Sequence, residues 1–300
     1  MKLWSAWREQ QAQDNRLHVE VRGSGERTLV FVPGLGGTTR YWASRVESLE
    51  ADYRVVLVDL LGFGESAKPW TQYSVERHTH ALWSALAPYA PFTLVGHSLG
   101  ALLSVALAAR HAPAVPRLVL LGMPCFRGQA DAYRYYRRGP MRGGYLATNL
   151  ILTISTCLFT RWVLGRILPY VARHVPREVA EDLVKHNWRS STSSLWEVVY
   201  RYDASTDFAR LNGAARTLFI HGARDVMAPV APIERLALQT EGSLKVLPGV
   251  DHHPFLREPA YCLALIETHN NADREVVRRP QAHNAARSIT TTKENDSCTD

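Results

Sequence analysis

One short stretch constrains this chain more than any other: Gly96-His97-Ser98-Leu99-Gly100. It follows an apolar run, Phe92–Val95, and opens a segment of helical spacing, Leu99–Arg110. A strand that passes into a helix through a single residue must turn sharply, and that residue is forced into a strained backbone conformation. The chain folds back on itself there, so the positions two before and two after must be small. Gly96 and Gly100 meet that need. The turn lifts the Ser98 hydroxyl over the edge of a sheet. It lies beside a helix N-terminus, where negative charge is favoured.

The rest of the chain supplies the sheet that such a turn requires. Apolar runs at Leu17–Val21, Thr28–Val32, Val55–Val58, Leu118–Leu121, Thr217–Ile220 and Leu244–Leu247 join Phe92–Val95 as expected strands. Most are uniformly apolar, as strands buried on both faces of a parallel sheet are. Helical spacing recurs between them at Tyr41–Glu50, Ser74–Tyr89, Leu99–Arg110 and Pro229–Gln239, with Ser74 a candidate N-cap. Alternation of this kind implies an α/β fold with a doubly wound, mostly parallel sheet. It breaks between Met123 and Arg216, a stretch rich in aromatics, arginine and helical pattern. That stretch is too long for a loop in a compact domain. The expected organisation is a core of residues 1–123 and 211–269, a helical cap insertion over 124–210, and a disordered tail over 270–300.

A serine hydroxyl is a poor nucleophile until a base removes its proton. In a strand–turn–helix context of this type the base comes last in the chain, after a carboxylate. The segment Leu247-Pro248-Gly249-Val250-Asp251-His252-His253-Pro254-Phe255 follows the last expected strand. Its two adjacent histidines leave the choice of base open on the residues alone. The preceding strand runs into His221-Gly222-Ala223-Arg224-Asp225. Asp225 stands 27 residues before His252 (252 − 225), room for one helix and one strand. An aspartate there can accept the imidazole N–H and hold the correct tautomer.

Together these motifs resemble the α/β-hydrolase superfamily over about Leu17–His269, with the insertion unmatched in detail. In that family the histidine lies in a Gly-x-x-His stretch with Pro two residues on and another Pro later. Gly249, His252, Pro254 and Pro259 fit that register, so the resemblance assigns His252 rather than His253. Asp251 departs from the small residue usual just before the base. Pro33-Gly34-Leu35-Gly36-Gly37 resembles the family's His-Gly loop, with Pro33 where His is common. The resemblance implies that backbone N–H groups of Leu35 and Leu99 form an oxyanion hole. Asp59-Leu60-Leu61-Gly62-Phe63-Gly64-Glu65-Ser66 resembles a structural turn of the same family.

The expected chemistry is acyl transfer to water from a small or medium apolar ester, thioester or lactone. Leu152, Phe159 and Trp162 of the insertion are candidate pocket residues. Two other readings stay open: hydrolysis of carbon–carbon bonds in vinylogous diketones, and a ligand receptor that keeps the fold without turnover. No phosphate loop or metal-ligand cluster is present, so no cofactor and no metal are expected. The formal net charge is +7. Cys125–Arg210 holds thirteen Lys and Arg against seven Asp and Glu, so 13 − 7 = +6 falls there. That excess is read as a solvated arginine face. Without a nucleic-acid-binding motif it does not imply nucleic acid, and a monotopic membrane contact through Gly144–Thr160 is the minor reading beside a buried or site-lining helix. Four scattered cysteines and an N-terminus without a long apolar stretch point to a reducing, cytoplasmic setting. Oligomeric state is not legible.

Overall fold

A computed structural model describes residues 14–138, 144–162, 176–182 and 184–277. Its centre is a seven-stranded sheet of β1 (Val19–Arg22), β2 (Arg27–Val32), β3 (Tyr53–Val58), β4 (Phe92–His97), β5 (Arg117–Leu121), β6 (Arg216–Gly222) and β7 (Ser243–Leu247). The spatial order is β1-β3-β2-β4-β5-β6-β7. Only β1 runs antiparallel to its neighbour. Along β2, Leu29 and Phe31 join one buried cluster while Val30 and Val32 join the other. Both faces are therefore covered, as the uniformly apolar runs require.

Helices α1 (Val75–Leu86) and α2 (Leu99–Arg110) follow β3 and β4. Ser74 caps α1, its side chain accepting from the Arg77 N–H. Ten of the twelve α2 residues are buried, which is why its sequence is apolar almost all round. The segment Tyr41–Glu50 does not form the expected α-helix. It is three short 3₁₀ turns, Thr39–Tyr41, Ala43–Arg45 and Glu47–Ala51. Tertiary partners take over its start: Asp59 accepts the Thr39 N–H and Asp182 accepts the Thr38 hydroxyl. The tighter turns still bury Trp42, Val46 and Leu49.

Between β5 and β6 the described residues form helices and no strand. They are α3 (Gln129–Tyr136), α4 (Gly144–Thr148), α5 (Leu150–Trp162), α6 (Arg177–Asp182) and α7 (Trp188–Ser194). A π-helical turn at Leu195–Tyr200 and α8 (Ala204–Leu211) complete the segment. Hydrogen bonds tie these pieces together, from Trp196 Nε1 to the Tyr133 hydroxyl and from the Tyr200 hydroxyl to the Ala147 carbonyl. Helix α8 lies within the expected cap but packs on α2 of the core. Its buried Ala204, Phe208 and Leu211 explain this, with the Phe208 ring against Phe219 of β6. The core thus resumes before residue 211.

Helices α9 (Val230–Gln239), α10 (Pro254–Arg257) and α11 (Pro259–Val277) close the fold. Residues 270–277 of the expected tail belong to α11, which continues to Val277. Asn270 is buried, and its Oδ1 accepts from the Thr93 hydroxyl of β4. Residues 278–300, assigned to the tail, lie outside the described residues. Among the described residues no helix is long and apolar enough to cross a membrane.

Candidate active site

The sheet order reverses between β2 and β4, since the chain steps from β2 to β3 on one side and to β4 on the other. A crevice opens at the carboxyl ends of the strands at such a switch point. Four loops reach it, those after β2, β4, β6 and β7.

Ser98 stands at the end of β4 with φ 51° and ψ −116°. This is the left-handed region, which L side chains avoid, and the surroundings hold it there. The Ser98 N–H donates to the Leu121 carbonyl of β5 at 2.9 Å. A Cβ on Gly96 would lie 2.7 Å from Ala101 Cα, and one on Gly100 would lie 2.4 Å from the Pro33 carbonyl oxygen. Both glycines exist because backbone passes too close for any side chain.

The structure brings Ser98, His252 and Asp225 together. Ser98 Oγ is 2.9 Å from His252 Nε2, and His252 Nδ1 is 2.8 Å from Asp225 Oδ2. The carboxylate can only accept, so Nδ1 carries the proton and Nε2 presents a lone pair to the serine hydroxyl. Asp225 has no exposed side-chain surface, while His252 keeps 15%. Asp225 Oδ1 accepts the N–H groups of Met227 and Ala228, both at 2.8 Å, which fixes the carboxylate plane.

His253 does not reach the serine. Its Nδ1 is 3.5 Å from the Tyr41 hydroxyl, and its ring packs 5.1 Å from that of His97. Burial pushes its pKa down to about 4. Asp251, the departure noted beside the base, turns away to pair with Arg257 at 2.5 Å and accepts the His253 N–H.

The loop after β2 lies against this turn. A Cβ on Gly34 would meet His97 Nδ1 at 2.9 Å and Ser98 Cβ at 3.2 Å, so the loop sits directly over the serine. Its turn closes by a Gly37 N–H to Gly34 carbonyl bond that leaves the Leu35 N–H unused. Leu99 is the first residue of α2, where an N–H has no acceptor within the helix. Asp59 braces the loop, its two oxygens accepting the N–H groups of Thr39 and Glu65. Burial raises its pKa against those two bonds. From the cap side, Asp182 binds Thr38, Arg40 and Lys185.

Two residues stand out that the sequence did not single out for a role here. His97 is buried, with its pKa held well below the ordinary value by burial. Its Nε2–H donates to the His252 carbonyl at 2.8 Å while its ring stacks on Tyr41 at 4.9 Å. His221 is buried near the end of β6. Its Nε2–H donates to the Ala228 carbonyl at 2.8 Å, clamping the loop that carries Asp225. Neither has a local signal, because each role depends on a partner remote in sequence or set by loop geometry.

The expected pocket residues fare differently. Leu152 and Phe159 are exposed rather than enclosed. Helix α5 turns them outward while Ile154 and Cys157 face in more, Cys157 Sγ lying 3.2 Å from His186 Nε2. Trp162 ends α5, and its side chain lies outside the described residues.

Comparison with known proteins gives a consistent frame. Residues 27–146 match the model of the family described as alpha/beta hydrolase fold. A probable lysophospholipase, BODYGUARD 4 of Arabidopsis thaliana, is 34% identical over 40% of this chain and 32% of its own. The chain thus spans about a third of that relative's length. A pimeloyl-(acyl-carrier protein) methyl ester esterase of Edwardsiella ictaluri is 31% identical over 82% of this chain and 94% of its own. Among solved structures, an esterase from Exiguobacterium antarcticum superposes with TM-score 0.69 at 20% identity, covering 85% of this chain and 95% of that one.

Proposed function

From a chain that belongs to the alpha/beta hydrolase fold family, we propose a serine hydrolase that cleaves a small or medium apolar carboxylic ester, thioester or lactone. The observation that carries the reading is the chain of contacts from Ser98 Oγ through the His252 imidazole to a buried Asp225. The names of the relatives, an esterase and a probable lysophospholipase, support an ester among acyl substrates.

In this mechanism Ser98 Oγ attacks the carbonyl carbon as His252 Nε2 takes the hydroxyl proton. The new C–O bond pushes the carbonyl electron pair onto oxygen. The Leu35 and Leu99 N–H groups stabilise that oxyanion. The imidazolium returns its proton to the leaving alkoxide or thiolate, and an acyl-enzyme remains. Water, deprotonated by His252, then attacks the acyl carbon; the C–O bond to Ser98 breaks as the imidazolium returns the proton to Ser98 Oγ, and the acid is released. Asp225 orients the ring and offsets its charge.

The test is covalent. A fluorophosphonate should label wild-type protein once, on Ser98, and leave Ser98→Ala unlabelled. The same substitution should abolish turnover of a chromogenic short-chain ester, a loss on the order of 10⁴-fold or more. A wild-type protein that is folded, unlabelled and inactive on esters, thioesters and lactones would overturn the proposal.

A further inference from the structure

We propose that helices α4 and α5 form a docking surface for an anionic lipid bilayer. The two helices pack together and carry a run of large apolar side chains that stand exposed among the described residues. Tyr145 is 69% exposed, Leu146 54%, Ile151 74% and Phe159 54%. Ile151 and Leu158 lie seven residues apart, as do Leu152 and Phe159, so each pair shares one side of α5 two turns apart. Soluble proteins seldom leave such a patch open unless something binds it.

Charge identifies the occupant. From Ala132 to Arg177 the sequence holds eight arginines and no Asp or Glu, and of these Arg134 pairs with Asp131 and Arg177 with Glu181. Arg137 sits at the edge of the patch. Its guanidinium lies 5.0 Å from the Tyr133 ring and 5.5 Å from the Tyr145 ring, and its Nε donates to the Thr148 hydroxyl. The cation is thus held by aromatic rings rather than by a carboxylate, an arrangement suited to the water–lipid boundary. A second copy of this chain fits less well. A two-fold interface sets a surface against itself and would bring Arg137, at the edge of the patch, toward its own copy. An anionic bilayer turns that charge into attraction and accepts the apolar side chains. The excess read from sequence as a solvated face then has a partner.

The surface is tested by binding rather than turnover, so the result does not depend on the role assigned to Ser98. The full chain is floated with vesicles of phosphatidylcholine alone or with about a third phosphatidylserine, at about 0.05 M and about 0.5 M salt. The expected result is binding to the anionic vesicles at low salt that weakens at least about tenfold at high salt or without phosphatidylserine. The double variant Leu146→Asp with Ile151→Asp should bind about tenfold more weakly, with an unchanged melting temperature showing that it is folded. Three results would overturn the proposal. One is absence of wild-type binding to anionic vesicles at low salt. Another is undiminished binding by the folded double variant. The third is a wild-type dimer in sedimentation that the double variant converts to monomer, which would assign the patch to a second copy.

Discussion

Replacing Asp225 with asparagine keeps size and shape, yet it should lower kcat/KM for an ester about 10⁴-fold. The structure explains why the substitution cannot be accommodated. Oδ1 accepts two backbone N–H groups, from Met227 and Ala228, each at 2.8 Å. In the variant the amide oxygen must take that position, since turning the side chain over would set the NH₂ against two donors. The NH₂ is then forced into the place of Oδ2, 2.8 Å from His252 Nδ1 and 3.4 Å from His221 Nε2. It can satisfy His252 only by donating to Nδ1, which moves the imidazole proton to Nε2. The nitrogen facing Ser98 Oγ at 2.9 Å then carries a hydrogen and cannot take another. The base is lost without loss of geometry. Four powers of ten correspond to about 5.4 kcal/mol of transition-state stabilisation. The assay is initial-rate hydrolysis of a chromogenic ester, alongside the rate of fluorophosphonate labelling and the melting temperature. A folded Asp225→Asn protein that keeps more than about a tenth of wild-type kcat/KM would refute the tautomer argument.

Three further outcomes are expected. His252→Asn should lose activity about 10⁴-fold whereas His253→Asn stays within about tenfold of wild type; ester kinetics on the two purified variants checks this, and equal losses would contradict the distances. His78 is fully buried against the Ser194 hydroxyl with its pKa pushed down by burial to about 3, so the unfolded chain binds the proton first. Its contribution to stability is whole above about pH 6.5 and falls by about 1.4 kcal/mol per unit as pH drops toward about 3. Urea midpoints between about pH 6 and 4 should therefore show His78→Gln with a slope shallower than wild type by about one proton. Asp182→Asn, which removes the charge shared by Arg40 and Lys185 under the cap, should cost about 2 kcal/mol. That is less than the roughly 3–5 kcal/mol of a wholly buried pair, because both cations stay partly hydrated. Calorimetry should show it as a fall of roughly 3 °C.

Much of this molecule follows from short-range constraints that a sequence carries openly. The turn at Ser98 is legible because two backbones cannot approach as they do at Gly96 and Gly100 with any side chain in the way. The sheet is legible because strands covered on both faces must be apolar without interruption, as Val55–Val58 and Leu118–Leu121 are. Asp225 is legible from its place after one strand and before the next.

What needed the tertiary structure are matters of direction and partnership. His252 and His253 are chemically identical neighbours, and only the fold of the loop after β7 decides which ring faces Ser98 and which faces Tyr41. A 3.6-residue pattern at Tyr41–Glu50 cannot reveal that Asp59 and Asp182 will claim the polar groups of Thr39 and Thr38 just before it and that 3₁₀ turns will follow. An apolar run such as Leu150–Phe159 records that the side chains avoid water, not which surface will cover them. Whether such residues line a pocket or stand at an open face depends on what the chain packs opposite. That information resides in contacts between remote segments, because burial is a property of the assembled chain and not of the residue.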